Sequence, residues 1–150
     1  ELSLLNDLNL VGASGGDLVL TTSGTGATGY SELKNWLLAA DATNMAYMLS
    51  AQLAATALSC EAGYLNGATV VDVGDLLDGF YDQINAAVGA GTITEIGGHA
   101  FLSINNLKTA ANLALQADGY TPAGDPLRGY QEGLKNALDK LNNNQLMFVA

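Results

Sequence analysis

Four aspartates form the densest acidic cluster in the chain: Asp72, Asp75, Asp78 and Asp82. On a helix, Asp75, Asp78 and Asp82 would share one face, and carboxylate oxygens are preferred ligands of Ca²⁺. Their spacing lacks the alternating acidic positions of a calcium loop, and spacing alone cannot assign the carboxylates of a glycosidase. Acids near a helix start also complement the helix dipole. The cluster therefore predicts a solvated helix face, with calcium binding as the alternative.

A glycine motif at residues 24–29, GTGATG, has the G-x-G-x-x-G spacing of dinucleotide-binding proteins. It follows residues 17–22, DLVLTT, which look like a strand, and it precedes a helix whose N-terminus could hold a pyrophosphate. A second strand ending in an acid should come about 20 residues later. Instead, Asn44 and Met45 begin another helix. The motif therefore predicts a turn-rich loop, and no nucleotide cofactor is expected.

One histidine and one cysteine restrict the remaining chemistry. A zinc site that used His99 and Cys60 would need carboxylates for most of its ligands, and no nucleophile elbow is expected to pair with His99. We predict that His99 lies in a loop or at a helix start. Cys60 has no second cysteine in the chain and lies in an apolar helix, which is typical of a buried structural thiol. We predict no catalytic residue, no metal and no cofactor, and hence no enzyme.

The composition is acidic but poor in charge. Of 150 residues, 49% are hydrophobic and 13% are charged, with 15 acids and 5 bases giving a net charge of −10. The negative charge argues against binding to nucleic acid or to anionic membranes. No run of about 20 purely apolar residues is present, so no membrane insertion is expected. Few lysines with abundant Gly, Asn, Thr and Ala are common in secreted surface proteins, so we expect an extracellular location.

The spacing of apolar residues predicts a mainly α fold, a compact helical bundle of about five helices with short marginal β-segments and an extended N-terminal arm. Helices are expected from residue 30 to about 40 and over residues 45–64, 75–88, 101–118 and 126–141. Candidate strands are residues 17–22, 68–73 and part of the glycine-bounded segment 89–98. Residues 1–29 are assigned to the arm and the Gly-rich loop, and residues 30–150 to the helical domain.

Two sequence blocks carry a resemblance to a known kind of domain. They are residues 44–56, NMAYMLSAQLAAT, and residues 130–144, YQEGLKNALDKLNNN. Together they resemble a small helical domain found at the C-terminal end of secreted and cell-surface proteins of environmental bacteria, over about residues 30–148. The resemblance implies a secreted, modular and non-catalytic protein. It does not cover residues 1–29.

Apolar segments at both ends of the chain suggest self-association. We hypothesise a secreted structural protein, a self-assembling subunit of a filament or surface layer, with copies of itself as partners. The candidate assembly interface comprises Leu2, Leu4, Leu5, Leu8, Leu10, Val11, Leu146, Met147, Phe148 and Val149. Residues 1–107 carry eleven acids and one base, whereas residues 108–150 carry four of each, which would suit head-to-tail contact.

Two other functions remain open at this stage. The first is a monomeric cell-surface binding module for an extracellular glycan or a surface protein, with a binding surface lined by the tyrosines near the ends of the predicted elements, Tyr30, Tyr64, Tyr120 and Tyr130. The second is a hydrolase that uses the aspartates of residues 72–82.

Overall fold

Helices and strands both contribute substantially to the fold. The computed structural model describes residues 2–22 and 28–149. Within these residues the elements are α1 Leu2–Asn6, α2 Gly29–Ala39, α3 Met45–Glu61, β1 Val70–Gly74, α4 Tyr81–Val88, β2 Thr94–Ile96, β3 His99–Ser103, α5 Ile104–Ala117, α6 Arg128–Asn142 and β4 Met147–Val149. The prediction of a mainly α bundle with marginal strands is therefore wrong, because four strands join into one antiparallel sheet beside the helices.

The sheet has the strand order β2-β3-β1-β4, and every neighbouring pair is antiparallel. Val71 lies opposite both Leu102 and Phe148. Val71 and Leu102 are buried in the hydrophobic core, so this set of positions faces the helices. The alternate positions, which include Asp72 and Met147, form the outer face. β2 and β4 are the two edge strands.

A glycine turn explains why the sequence pattern missed part of the sheet. Gly97 and Gly98 have φ values of 58° and 83°, and they connect β2 to β3. Two consecutive residues with positive φ form the hairpin turn that suits the twist of antiparallel strands. The predicted helix from residue 101 begins instead at Ile104, where the Ser103 hydroxyl accepts a hydrogen bond from the Asn106 N–H at 3.1 Å. The Gly-Gly pair between two short β-prone segments is the sequence signal from which this hairpin could have been predicted.

The segment that contains the aspartates is only partly helical. A helix was expected over residues 75–88, whereas α4 covers Tyr81–Val88. Residues 75–79 form turns, and Gly79 has a φ of 86°. A left-handed residue cannot continue a right-handed helix, so the first part of the predicted helix does not form.

The central helix α3 agrees with its prediction over residues 45–61. It packs against α5 and α6 and buries residues on several sides, among them Ala46, Leu49 and Leu53. Small alanine side chains allow neighbouring helices to approach closely. The two blocks that carry the resemblance lie side by side, because α3 and α6 are adjacent and the Thr56 hydroxyl bonds the Asn142 Oδ1 at 3.0 Å.

A buried polar network holds the start of α3. The side-chain oxygen of Asn44, which is 1% exposed, accepts hydrogen bonds from the N–H groups of Ala46 at 3.0 Å and Thr121 at 2.9 Å. Its amide nitrogen donates to the carbonyls of Gly12, Ala13 and Gly119. One carboxamide therefore joins three separate segments of the chain.

Thr121 extends this network to α6. Its hydroxyl accepts from the Ala46 N–H at 2.9 Å and donates to the Gln131 side-chain oxygen at 2.5 Å. The buried Gln131 amide nitrogen then donates to the carbonyls of Ala114 and Asp118 at the end of α5. These bonds satisfy polar groups that have no access to water.

The N-terminal segment belongs to the core and is not an extended arm. It begins with α1, and Leu5, Leu10 and Val11 are all buried. The Val11 N–H donates to the Ser50 hydroxyl at 3.1 Å, and the Val11 carbonyl accepts from the Trp36 indole N–H at 2.9 Å. This part of the predicted fold is wrong because the leucine-rich segment finds its apolar partners within the same chain.

Residues 17–22 were expected to form a strand but make only one isolated bridge, between Asp17 and Val11. Leu20 is buried, and its backbone is held by the Asn6 side chain through bonds of 2.7 and 2.9 Å. Side-chain bonds therefore replace a ladder between strands here.

Replacing Asn44 with Ala tests the polar network. Each buried backbone group left without a partner costs roughly 1–3 kcal/mol, so we expect Asn44→Ala to lower the free energy of unfolding by about 3 kcal/mol or more. Urea unfolding measures this change. Asn143→Ala is the matched control, because Asn143 is exposed and bonds only within the last turn of α6. Equal stability of the two variants would contradict the assigned role of Asn44.

Tyr130 provides a second test, because its buried hydroxyl has no hydrogen-bond partner among the described residues. We expect Tyr130→Phe to raise the free energy of unfolding by about 1 kcal/mol, since an unpaired polar group leaves the core. Tyr64→Phe, at a tyrosine that is 85% exposed, should leave the free energy of unfolding unchanged. A clear loss of stability in Tyr130→Phe would contradict this assignment.

Burial also raises the pKa of Tyr130 to about 12 from an ordinary value of 10.0. The folded state holds the phenol proton more tightly than the unfolded state does. Its contribution to the free energy of unfolding is therefore complete below pH 10 and is lost as the pH rises to about 12. The wild-type protein should therefore lose stability over this range more steeply than Tyr130→Phe, as measured by urea unfolding at each pH. Parallel pH profiles would show that Tyr130 does not contribute.

Candidate functional site

The outer edge of β4 is the most apolar exposed edge of the sheet. Met147 is 68% exposed and Phe148 is 43% exposed, and no residue of β4 is charged. β4 pairs with β1 on one side, and no strand among residues 2–22 and 28–149 pairs with its other side. An edge strand leaves backbone N–H and C=O groups available to a further strand. β4 therefore has both the backbone groups and the side chains needed for strand addition.

The opposite edge, β2, is also exposed but differs in charge. Glu95 lies opposite Ala100, which is buried, so the carboxylate side chain belongs to the core-side face of the sheet. A charged residue on this face of an edge strand opposes edge-to-edge pairing. The sheet consequently has one uncharged edge and one edge protected by Glu95.

His99 and Asp72 form an ion-pair geometry on the outer face. The His99 Nδ1 lies 2.9 Å from one Asp72 carboxylate oxygen and 3.1 Å from the other. Asp72 also accepts a hydrogen bond from the Gly74 N–H at 2.8 Å. His99 is also the first residue of β3, so the prediction that it lies in a loop or at a helix start is wrong.

A shallow cavity of about 360 Å³ lies beside this pair. Its polar lining includes Asp72, Asp75, His99, Lys140 and Gln145, and no Ser, Thr or Cys is among its described lining residues. A histidine oriented by a carboxylate can act as a base, but nucleophilic catalysis also requires a hydroxyl or thiol in reach. The cavity does not assemble that constellation.

The chain contains a G-x-S-x-G pattern at residues 12–16, GASGG, which the expectation of no nucleophile elbow did not take into account. The pattern forms a tight turn in which the Gly12 N–H donates to the Gly16 carbonyl at 3.0 Å. A nucleophile elbow connects a strand to a helix, and this turn connects neither. His99 and Asp72 could form the histidine–carboxylate half of a triad, but Ser14 is not among the residues that line the cavity beside this pair.

Two members of the aspartate cluster have different side-chain partners. The Asp78 carboxylate accepts a hydrogen bond from the Tyr81 hydroxyl at 2.5 Å, whereas Asp72 faces His99. Burial, followed by this contact with Asp78, raises the pKa of Tyr81 well above its usual range. Among the described residues, no group of three or more His, Cys, Asp or Glu side chains is placed to hold a metal ion.

The glycine motif at residues 24–29 lies largely outside the described residues, since only its last two residues, Thr28 and Gly29, are described. Gly29 begins α2, and a Cβ at this position would lie 2.2 Å from the Thr21 carbonyl oxygen. The Glu32 carboxylate accepts from the Thr21 N–H at 2.8 Å, and this bond lowers the pKa of Glu32. Gly29 therefore serves close packing of α2 against residue 21.

An open groove of about 450 Å³ lies between α1, α3 and α5. Leu4, Leu8 and Leu113 supply apolar walls, and Asn105, Lys108 and Thr109 supply polar groups. Cys60 is half-buried and also lines the groove, so it is more accessible than the predicted buried thiol.

The structure separates the predicted interface residues into two groups. Leu5, Leu10, Val11 and Leu146 are buried in the core of their own chain, and Leu2, Leu4 and Leu8 pack against that core. Met147 and Phe148 are exposed at the sheet edge, and Val149 is the third residue of the same strand. Both groups are equally apolar in sequence. Only the fold shows that the first group belongs to the core and that Met147 and Phe148 belong to the surface.

Comparisons with protein-family models, curated proteins and solved structures give no match for this chain. No helix among the described residues combines the length and hydrophobicity needed to cross a bilayer.

Alanine substitutions at a buried and an exposed leucine test the placement of α1 in the core. Leu5→Ala should lower the free energy of unfolding by about 3 kcal/mol, because it removes a fully buried side chain. Leu38→Ala, at an exposed position of α2, should leave stability unchanged. Urea unfolding of both variants gives the comparison, and an unaffected Leu5→Ala variant would contradict the placement of α1 in the core.

Proposed function

We propose that the protein is a secreted, extracellular structural subunit that assembles with copies of itself into a filament or surface layer. The observation that carries this proposal is the open edge of β4, where Met147 and Phe148 are exposed on an uncharged strand. Exposed edges of this kind are normally blocked in monomeric proteins. β4 lacks the charge, proline or covering element, among the described residues, that would block it.

The geometry of the sheet supports open-ended assembly. Its two edges, β2 and β4, lie on opposite sides, so one subunit offers two separate contacts, a stronger one at the uncharged β4 edge and a weaker one at the β2 edge that carries Glu95. Two different contacts on one subunit generate a chain of subunits, whereas a single two-fold contact gives only a dimer. The composition supports the proposed location, since few lysines with abundant Gly, Asn, Thr and Ala are common in secreted surface proteins, and the net charge of −10 favours solubility.

Light scattering and negative-stain microscopy of the purified chain over a range of concentrations test the proposal. We expect a concentration-dependent increase in mass and elongated or layered particles. Met147→Lys should raise the concentration needed for assembly by roughly tenfold, because a charge on the edge opposes strand addition. Tyr64→Lys introduces the same charge at an exposed site that belongs to no strand and should assemble normally. A wild-type chain that stays monomeric at all concentrations would overturn the proposal.

A second candidate function, a cell-surface binding module, is favoured by the groove between α1, α3 and α5. Its volume of about 450 Å³ and its mixture of apolar and polar walls suit a ligand or a partner side chain. Screening the wild type against immobilised glycans and surface proteins, beside Leu113→Glu, tests this function. Binding by a monomeric wild type that is lost in Leu113→Glu would favour the module over the assembly subunit.

A further inference from the structure

We infer that the first contact in assembly is a two-fold pairing of β4 with β4 of a second copy, which gives a dimer with one continuous eight-stranded sheet. This inference rests on the proposed function, because it names the partner of the same edge. The starting observation is the difference in charge between the two edges. β4 has no charged residue, whereas β2 carries Glu95 at its centre, opposite the buried Ala100.

The directions of the strands allow three ways of joining two copies. Each strand of the sheet runs opposite to its neighbours, so β2 and β4 run in opposite directions. A head-to-tail contact places β2 against β4 as an antiparallel pair. A two-fold contact places β4 against β4, or β2 against β2, and these pairs are also antiparallel. Strand direction therefore does not choose among them, and the side chains decide.

The side chains favour β4 against β4. If the two-fold axis passes through the central residue, Phe148 lies opposite Phe148 of the second copy, and Met147 lies opposite its Val149. Directly opposed aromatic residues stabilise an antiparallel pair. Phe148 lies on the core-side face because it opposes Val71, and its exposed part would be covered by the pairing.

The two competing contacts both involve Glu95. A head-to-tail pair places Glu95 opposite Phe148 on the core-side face, where the carboxylate would lose part of its hydration. A β2 pair centred on Glu95 places two carboxylates opposite each other, which is destabilising. Dimers joined at β4 would thus form first, and the β2 edges that stay free, where Glu95 opposes pairing, would join dimers only at a higher concentration.

Cysteine crosslinking distinguishes these contacts. Cys60→Ala removes the native thiol, and Phe148→Cys is then added to this background. Residues directly opposite in antiparallel strands have Cα atoms about 4.5–5.5 Å apart, within the range of a disulfide. We expect Phe148→Cys to form a disulfide-linked dimer under mild oxidation, because the backbone hydrogen bonds of the paired strands remain when the aromatic pair is lost and the disulfide traps each encounter. Tyr64→Cys in the same background is the control for random collision, and it should crosslink at least tenfold more slowly.

The remaining outcomes separate this inference from the proposed function. A variant with both Glu95→Cys and Phe148→Cys, made in the Cys60→Ala background, would form longer linked ladders if β2 met β4. Ladders in this double variant, with no dimer from Phe148→Cys alone, would overturn the two-fold inference while retaining self-assembly. No specific crosslink together with a monomeric wild type in light scattering would overturn both. Assembly without either crosslink would overturn only the inference.

Glu95→Gln gives an independent readout, because it removes the charge that weakens the β2 edge. We expect the β4 dimer to be unchanged and the dimers to join into larger particles at a lower concentration than in the wild type. Light scattering of both proteins measures the shift. Unchanged polymerisation would show that Glu95 does not protect the β2 edge, which would overturn the charge difference on which the inference depends.

Discussion

The carboxamide of Asn44 satisfies backbone groups from three parts of the chain: the turn after residue 11, the start of α3 and the segment before α6. Because these groups are buried, each needs a partner within the protein. Thr121 and Gln131 continue the network to the end of α5. The positions of α3, α5 and α6 relative to the N-terminal segment thus depend on a few directional bonds, whereas the apolar contacts around them are less specific.

The sheet packs one face against the core, and its two edge strands have no further strand beside them among the described residues. Its core side is completed by Val71 and Leu102, while β2 and β4 remain open at the two edges. The helices that the Asn44 network joins cover one face of the sheet, and its edge strands stay accessible to a partner. The same fold therefore buries the N-terminal leucines and exposes Met147 and Phe148. This contrast supports the proposal that association uses the sheet edge rather than the N-terminal segment.

Several features could be predicted from the sequence because they depend on local spacing. The central helix α3 follows from its alanine-rich pattern and from Asn44, whose side chain caps its start. Trp36 follows Leu33 at helical spacing on α2, and both are buried. The sheet could not be predicted in the same way, because β4 lies about 75 residues from β1, with which it pairs. Three-residue strands such as β2 and β4 are too short to produce a clear periodic signal.

The sequence by itself determined which segments are apolar, where α3 begins, and that acids greatly outnumber bases. It could not determine which apolar segment lies inside, since Leu5 and Met147 belong to similarly hydrophobic runs near opposite ends of the chain. Only the tertiary structure placed Leu5 in the core and Met147 on an edge. It likewise brought His99 to Asp72 and the Tyr81 hydroxyl to Asp78. The physical reason is that burial and proximity are set by contacts between distant residues, which local propensities do not contain.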